Sequence, residues 1–131
     1  MKITAIKTFL VDGGFRPWTF VKVETDQPGL VGWGDCTDWG SPGPVAATVE
    51  RYSEWVIGRD PMQAEAIWWA LSAASVRHPG GCASKASPGI DAALLDIRGP
   101  ALGAPVRPPP GGQLPHPPRP LWPPCSSAPP R

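Results

Sequence analysis

The sequence has little cysteine and little charge imbalance. It carries three cysteines in 131 residues, Cys36, Cys82 and Cys125, widely spaced and with no CxxC pair. That excludes a disulfide framework and a structural zinc site of ordinary spacing, and predicts small thiols that are buried or partly buried. Twelve basic and eleven acidic residues leave a formal net charge of +1, which gives no electrostatic case for nucleic acid or an anionic membrane surface as partner. No apolar run approaches the roughly 20 residues that a membrane helix needs. Lys2, Thr4, Lys7 and Thr8 interrupt the amino-terminal apolar run before it can serve as a signal core, so the expected location is the cytoplasm. There is no P-loop, GxGxxG, HExxH or GxSxG, and no Cys/His ligand cluster. The length is that of one domain.

Proline is abundant and unevenly placed. Residues 1–99 hold 7 of the 20 prolines and residues 100–131 hold the other 13. All eleven acids lie at or before Asp96, so the first 99 residues, with nine bases, carry a net −2. The end of the chain carries Arg107, Arg119 and Arg131 and no acid. Prolines lack the amide donor that helix and sheet ladders use. The reading is a folded domain over 1–106 and a disordered or polyproline II tail over 107–131. The prolines at 108–110 and at 117, 118 and 120 resemble a ligand for an SH3- or WW-type module.

Within the first hundred residues the period changes once. Residues 2–11 are rich in branched and aromatic types and read as a first strand. Residues 19–25 alternate, with Val21 and Val23 on one face and Lys22 and Glu24 on the other. Asp26, Gln27, Pro28 and Gly29 make a turn. A third strand covers 30–36, where Gly32 and Gly34 flank Trp33 and leave one face bare for a close backbone or ligand. Val45, Val49, Tyr52 and Val56 then recur at helical spacing. Asp60 and Pro61 read as N-cap and N1 of a second helix, with Ala64, Ile67, Trp68 and Leu71 inward. A third helix covers roughly 83–98, with Ala86, Ile90, Ala93, Leu94 and Ile97 inward. Pro88 predicts a kink or a late start at Ser87, and Pro100 a stop near Arg98 or Gly99. Three strands followed by three helices make an α+β domain, an antiparallel three-stranded meander with helices on one face.

Three polar segments are candidates for ligand contact. The loop 13–18, GGFRPW, mixes Arg16 with Phe15 and Trp18. Such a loop closes on a small anion, or else Phe15 and Trp18 anchor the core and Arg16 is solvated. Asp38 and Trp39 form a site wall or serve packing and capping. Arg77 and His78 contact a ligand or brace a glycine-flanked loop. Asp91 or Asp96 with Arg98 reads as a fold-stabilising polar network. Trp55, Trp68 and Trp69 cannot all face one small core, and an exposed aromatic surface implies a partner domain.

The runs VKVETDQPGLVGWGD, PVAATVE, IGRDPMQAEAIWW, HPGG and ASKASPGIDAALLDIRGPALGAPV occur in that order over residues 1 to about 106. Together they resemble the amino-terminal capping domain of the mandelate racemase and muconate lactonizing enzyme family, within the enolase superfamily, and are most similar to acid-sugar, galactonate-type dehydratases. The resemblance implies a (β/α)₈ barrel after the cap. In that barrel three carboxylates hold Mg²⁺, a lysine, histidine or aspartate removes the proton alpha to a carboxylate, and the metal stabilises the enediolate. The family's barrel positions all fall beyond residue 110, in proline-rich sequence, so the resemblance assigns this chain neither a catalytic residue nor a metal ligand. It implies that Phe15, Arg16 and Trp18 match the mobile specificity loop, and that Asp38, Arg77 and His78 lie in further edge regions capping the pocket. The implied partners are the barrel, a small acid-sugar carboxylate and further copies of a homo-oligomer. The chain departs from the family pattern at Ser87-Pro88 before Gly89, at Leu95 where tryptophan is common, and at Pro100 where lysine is common. The loss of acids and gain of Pro, Arg and Ser after Val106 look like out-of-frame translation of a GC-rich gene or a truncated gene. The expected activity of this polypeptide alone is none. The competing expectation is a non-enzymatic interaction module that uses the exposed aromatics and the proline-rich tail.

Overall fold

The computed structural model describes residues 1–77 and 79–103. The expectation of a disordered tail, and that of a proline-dependent ligand within it, lie outside the described residues. The order of elements is β1 (Ile3–Asp12), β2 (Pro17–Thr25), β3 (Val31–Asp35), α1 (Pro42–Val56), α2 (Ala64–Ala74) and α3 (Ala83–Leu102). The three strands form one antiparallel sheet in the order β1-β2-β3, and the α+β meander-then-helices reading holds.

Register follows from alternation. Val21 and Val23 of β2 are fully buried under the helices. On the opposite face Lys22 and Lys7 pair with Glu24, at 2.9 Å each, and their hydrogen bonds, Lys22 foremost, hold its carboxyl below the usual range. That outer face also carries Phe9 and Trp33, with ring centroids 5.3 Å apart. The core is Ile3, Val21 and Val23 from the sheet, Val45, Val49, Tyr52 and Val56 from α1, Ile67 and Leu71 from α2, and Ala86, Ile90, Ala93, Leu94 and Ile97 from α3. Every residue assigned inward on the first and third helices is buried. On α2 only Ile67 and Leu71 are buried, while Trp68 faces outward.

The bare face of β3 is covered by helix backbone. A Cβ on Gly32 would stand 2.7 Å from Ile97 Cγ1 and collide with the Ala93 carbonyl. One on Gly34 would stand 2.9 Å from the Gly89 carbonyl carbon, and one on Gly89 would stand 2.6 Å from Cys36 Cβ. Three missing side chains therefore let α3 lie directly on β3.

The structure corrects two helix boundaries. Asp60 and Pro61 do not open α2. Asp60 Oδ1 accepts the Met62 N–H at 3.0 Å and its carbonyl accepts the Gln63 N–H, which closes a turn, and α2 starts at Ala64 with Gln63 as N-cap. A turn satisfies those donors as well as a first helical turn does, and proline suits both. The second correction is α3, which runs unbroken through Pro88 and Pro100 to a left-handed Gly103 at φ 60°. Each proline forfeits one intrahelical bond. Burial of the helix against β3 outweighs that loss, and the glycine, not Pro100, ends the helix.

Asp96 is a brace, though not through Arg98. Its Oδ2 accepts the Trp33 N–H on the outer edge of β3 at 2.9 Å. Among the described residues neither Asp91 nor Asp96 pairs with Arg98. Burial raises the Asp91 carboxyl. Cys36 is buried and Cys82 partly so, as expected, and Cys125 lies outside the described residues. No helix among the described residues is long and apolar enough to cross a membrane.

Candidate functional site

The β1–β2 hairpin tip is built by short polar contacts. Asp12 Oδ1 accepts the Gly14 N–H at 2.9 Å, Gly14 takes φ 83°, and the Gly13 N–H donates to the Arg16 carbonyl at 3.0 Å. Gly13 has a steric task. A Cβ there would meet Trp18 Cδ1 at 2.6 Å, so its absence lets the Trp18 indole fold back over the tip.

This places Arg16 among rings from two loops. Its guanidinium carbon lies 3.8 Å from the Trp18 ring centroid, 5.1 Å from that of Phe15 and 4.8 Å from that of Trp39. Cation–π attraction of this kind contributes about 0.5–2 kcal/mol per ring, depending on desolvation. Arg16 Nε is buried with no hydrogen-bond partner. The reading with Phe15 as a core anchor and Arg16 solvated does not hold: Phe15 is 70% exposed and Arg16 is half-buried.

Trp39 reaches the tip from the loop between β3 and α1. Asp38 holds that loop, its Oδ1 accepting the Gly40 and Ser41 N–H groups at 2.9 Å each. These bonds brace the loop just before α1, whose N-cap residue Ser41 makes no side-chain cap bond. Trp39 itself is 68% exposed. The base of the loop is tied to β2. The Thr19 N–H donates to Thr37 Oγ1 at 3.0 Å, and the Cys36 N–H donates to the Thr19 carbonyl at 3.0 Å. Burial, with the Asp35 charge second, pushes the Cys36 thiol up to about 11, so it stays protonated.

Arg16, Trp18 and Trp39 share a pocket of about 350 Å³ with Asp35, Ser84 and Lys85. Lys85 and Ser84 were not marked by sequence reasoning. The signal available was a lysine in the first turn of a helix entered from a double glycine. Arg77 is exposed in the turn after α2 and lines neither this pocket nor the 450 Å³ one on the far side of Arg16. His78 lies outside the described residues. The structure thus brings Phe15, Arg16 and Trp18 together with Trp39, and holds Asp38 one residue behind.

A magnesium site does not fit here. Mg²⁺ takes clustered oxygen donors. Among the described residues no group of three or more His, Cys, Asp or Glu is placed to hold a metal ion, and Asp35 and Asp38 each accept backbone N–H groups.

Comparison with known proteins agrees with this architecture. The D-galactonate dehydratase of Pectobacterium atrosepticum is 42% identical over 106 residues, which are 81% of this chain and 27% of that enzyme. The D-galactonate dehydratase of Variovorax paradoxus is 39% identical over the same shares. An enolase from Pantoea ananatis, solved with D-gluconate and magnesium bound, superposes with a TM-score of 0.75 at 36% identity, covering 79% of this chain and 25% of that one. The chain therefore spans about a quarter of the length of these relatives. The sequence model of the mandelate racemase / muconate lactonizing enzyme amino-terminal domain matches residues 10–108. With a meander, three helices and that match over most of its length, the chain belongs to the mandelate racemase / muconate lactonizing enzyme family, as its amino-terminal domain.

Proposed function

We propose that this domain caps the active site of an acid-sugar dehydratase, with the hairpin tip as the wall that selects the substrate. The observation that carries the reading is the placement of Arg16 against both Trp18 and Trp39, its guanidinium carbon 3.8 and 4.8 Å from their ring centroids. Rings exclude water, and a guanidinium held against them can still offer its terminal N–H groups to an oxygen-rich ligand. Phe15, Arg16, Trp18, Asp38, Arg77 and His78 are pocket walls in this reading, not acid or base, and Asp38 acts by fixing the loop that carries Trp39. The chemistry is loss of the alpha proton of a sugar-acid carboxylate and of the beta hydroxyl. The acid, the base and the magnesium that stabilises the developing charge belong to the barrel domain of the intact enzyme. Exposed Trp68 and Trp69, the latter 67% accessible, support a second domain as partner.

Sequencing the locus tests the reading. A downstream frame that encodes Lys, Asp and Glu at barrel strand ends is the expected result. A locus with no such frame removes it and favours an interaction module. A second test uses the purified chain: Mg²⁺-dependent dehydration of D-galactonate by these 131 residues alone would overturn the assignment of Arg16 and its neighbours as walls only.

A further inference from the structure

We propose that the pocket between the hairpin tip and the first turn of α3 is an oxyanion site, complete within this chain, that takes a carboxylate or phosphate group between Arg16 and Lys85. It deepens the capping reading by naming the chemistry its wall selects. Unlike that reading, it needs no barrel.

Two cations line this pocket against one carboxylate, Asp35. That carboxylate already accepts the Thr37 N–H at 2.7 Å. Among the described residues neither Arg16 nor Lys85 forms an ion pair. The first 99 residues carry net −2, so two unpaired cations on one pocket run against the charge of the domain. Arg16 is half-buried against ring faces, which accept hydrogen bonds only weakly, and its enclosed Nε has no hydrogen-bond partner. A half-buried guanidinium is stabilised by an anion that bonds to its terminal N–H groups. Ser84 adds little as a donor, because its hydroxyl already donates to the Gly81 carbonyl at 2.7 Å. The protonated Cys36 thiol puts no competing negative charge on the pocket floor.

The test is a titration of the full chain followed by two-dimensional amide NMR, at constant ionic strength. The probes are inorganic phosphate, malonate and D-gluconate, with chloride as control. The expected result is saturable shifts of the Trp18 and Trp39 indole N–H signals and the Lys85 amide, with one dissociation constant for all three. Preference for phosphate or for the carboxylates then identifies the source of the oxyanion. Lys85→Gln should weaken binding at least about tenfold, which is 1.4 kcal/mol of lost interaction, and Arg16→Gln should weaken it at least as much. Lys85 is exposed and makes no bond that the fold needs, so its variant decides the matter even where Arg16→Gln disturbs the tip. Shifts that rise linearly without saturation, equal shifts in chloride, or unchanged affinity in Lys85→Gln each overturn the proposal. A locus without a barrel frame would leave this result standing, so the two readings fail separately.

Discussion

Adding one methyl group at Gly34 should cost about as much stability as a typical core truncation. Its Cβ would stand 2.9 Å from the Gly89 carbonyl carbon and 3.1 Å from the Ala93 N, and it would collide with the Gly89 oxygen. Ordinary contact begins near 3.4 Å. Every atom met is backbone of α3, so no side chain can rotate aside, and the helix must move off the strand by about an ångström or more. Overpacking of this kind costs about 1–3 kcal/mol, occasionally more, and here the upper end applies because backbone must shift. For a domain of this size each kcal/mol moves Tm by about 4–8 °C, so Gly34→Ala should lower it by roughly 10–20 °C. Gly43→Ala is the control. It is exposed in the first turn of α1, and its Cβ meets nothing within 4 Å beyond its chain neighbours, so it should change stability by no more than about 0.5 kcal/mol. Thermal unfolding followed by circular dichroism at 222 nm measures both. A Gly34→Ala protein that melts within about 2 °C of the parent would refute the claim that α3 rests directly on the strand.

Further outcomes follow from named groups. Burial raises the Asp91 carboxyl, so the folded state favours its neutral form. Its favourable share is complete below the unfolded value and is lost as pH rises through the folded one. Asp91→Asn should therefore raise Tm at pH 7 and leave it unchanged at pH 3. With its thiol at about 11, Cys36 should be alkylated by iodoacetamide at pH 8 at least about 100-fold more slowly in the native chain than in guanidinium. Equal rates, read by peptide mapping, would show that the thiol is not enclosed. Asp96→Ala removes the acceptor for the Trp33 N–H and should cost about 1 kcal/mol, with faster hydrogen exchange at that amide and not at Val21.

Strand alternation and helical spacing made the core legible before any coordinates. Val21 and Val23, and the inward sets of the first and third helices, are where their periods place them. The bareness of Gly32 and Gly34 even predicted a close neighbour, though not that it would be helix backbone. Helix boundaries were less legible. Asp60-Pro61 suits a turn and a helix start equally, and nothing local records that burial against β3 keeps α3 continuous through two prolines. In the site, the chemistry of Phe15, Arg16 and Trp18 was visible as composition. Trp39 folding onto Arg16, and Lys85 facing the same pocket, depend on how two distant loops meet, and no spacing rule encodes that meeting.

The seam of Gly32, Gly34 and Gly89 also sets how freely the pocket can diverge. The loop after β3 and the first turn of α3 stand beside it, and their spacing is set by backbone contact of Gly34 with Gly89. Exchange of residues such as Trp39 or Lys85 can alter what the cleft holds while its width stays constant, so ligand preference can drift over a gauge that mutation elsewhere does not reset.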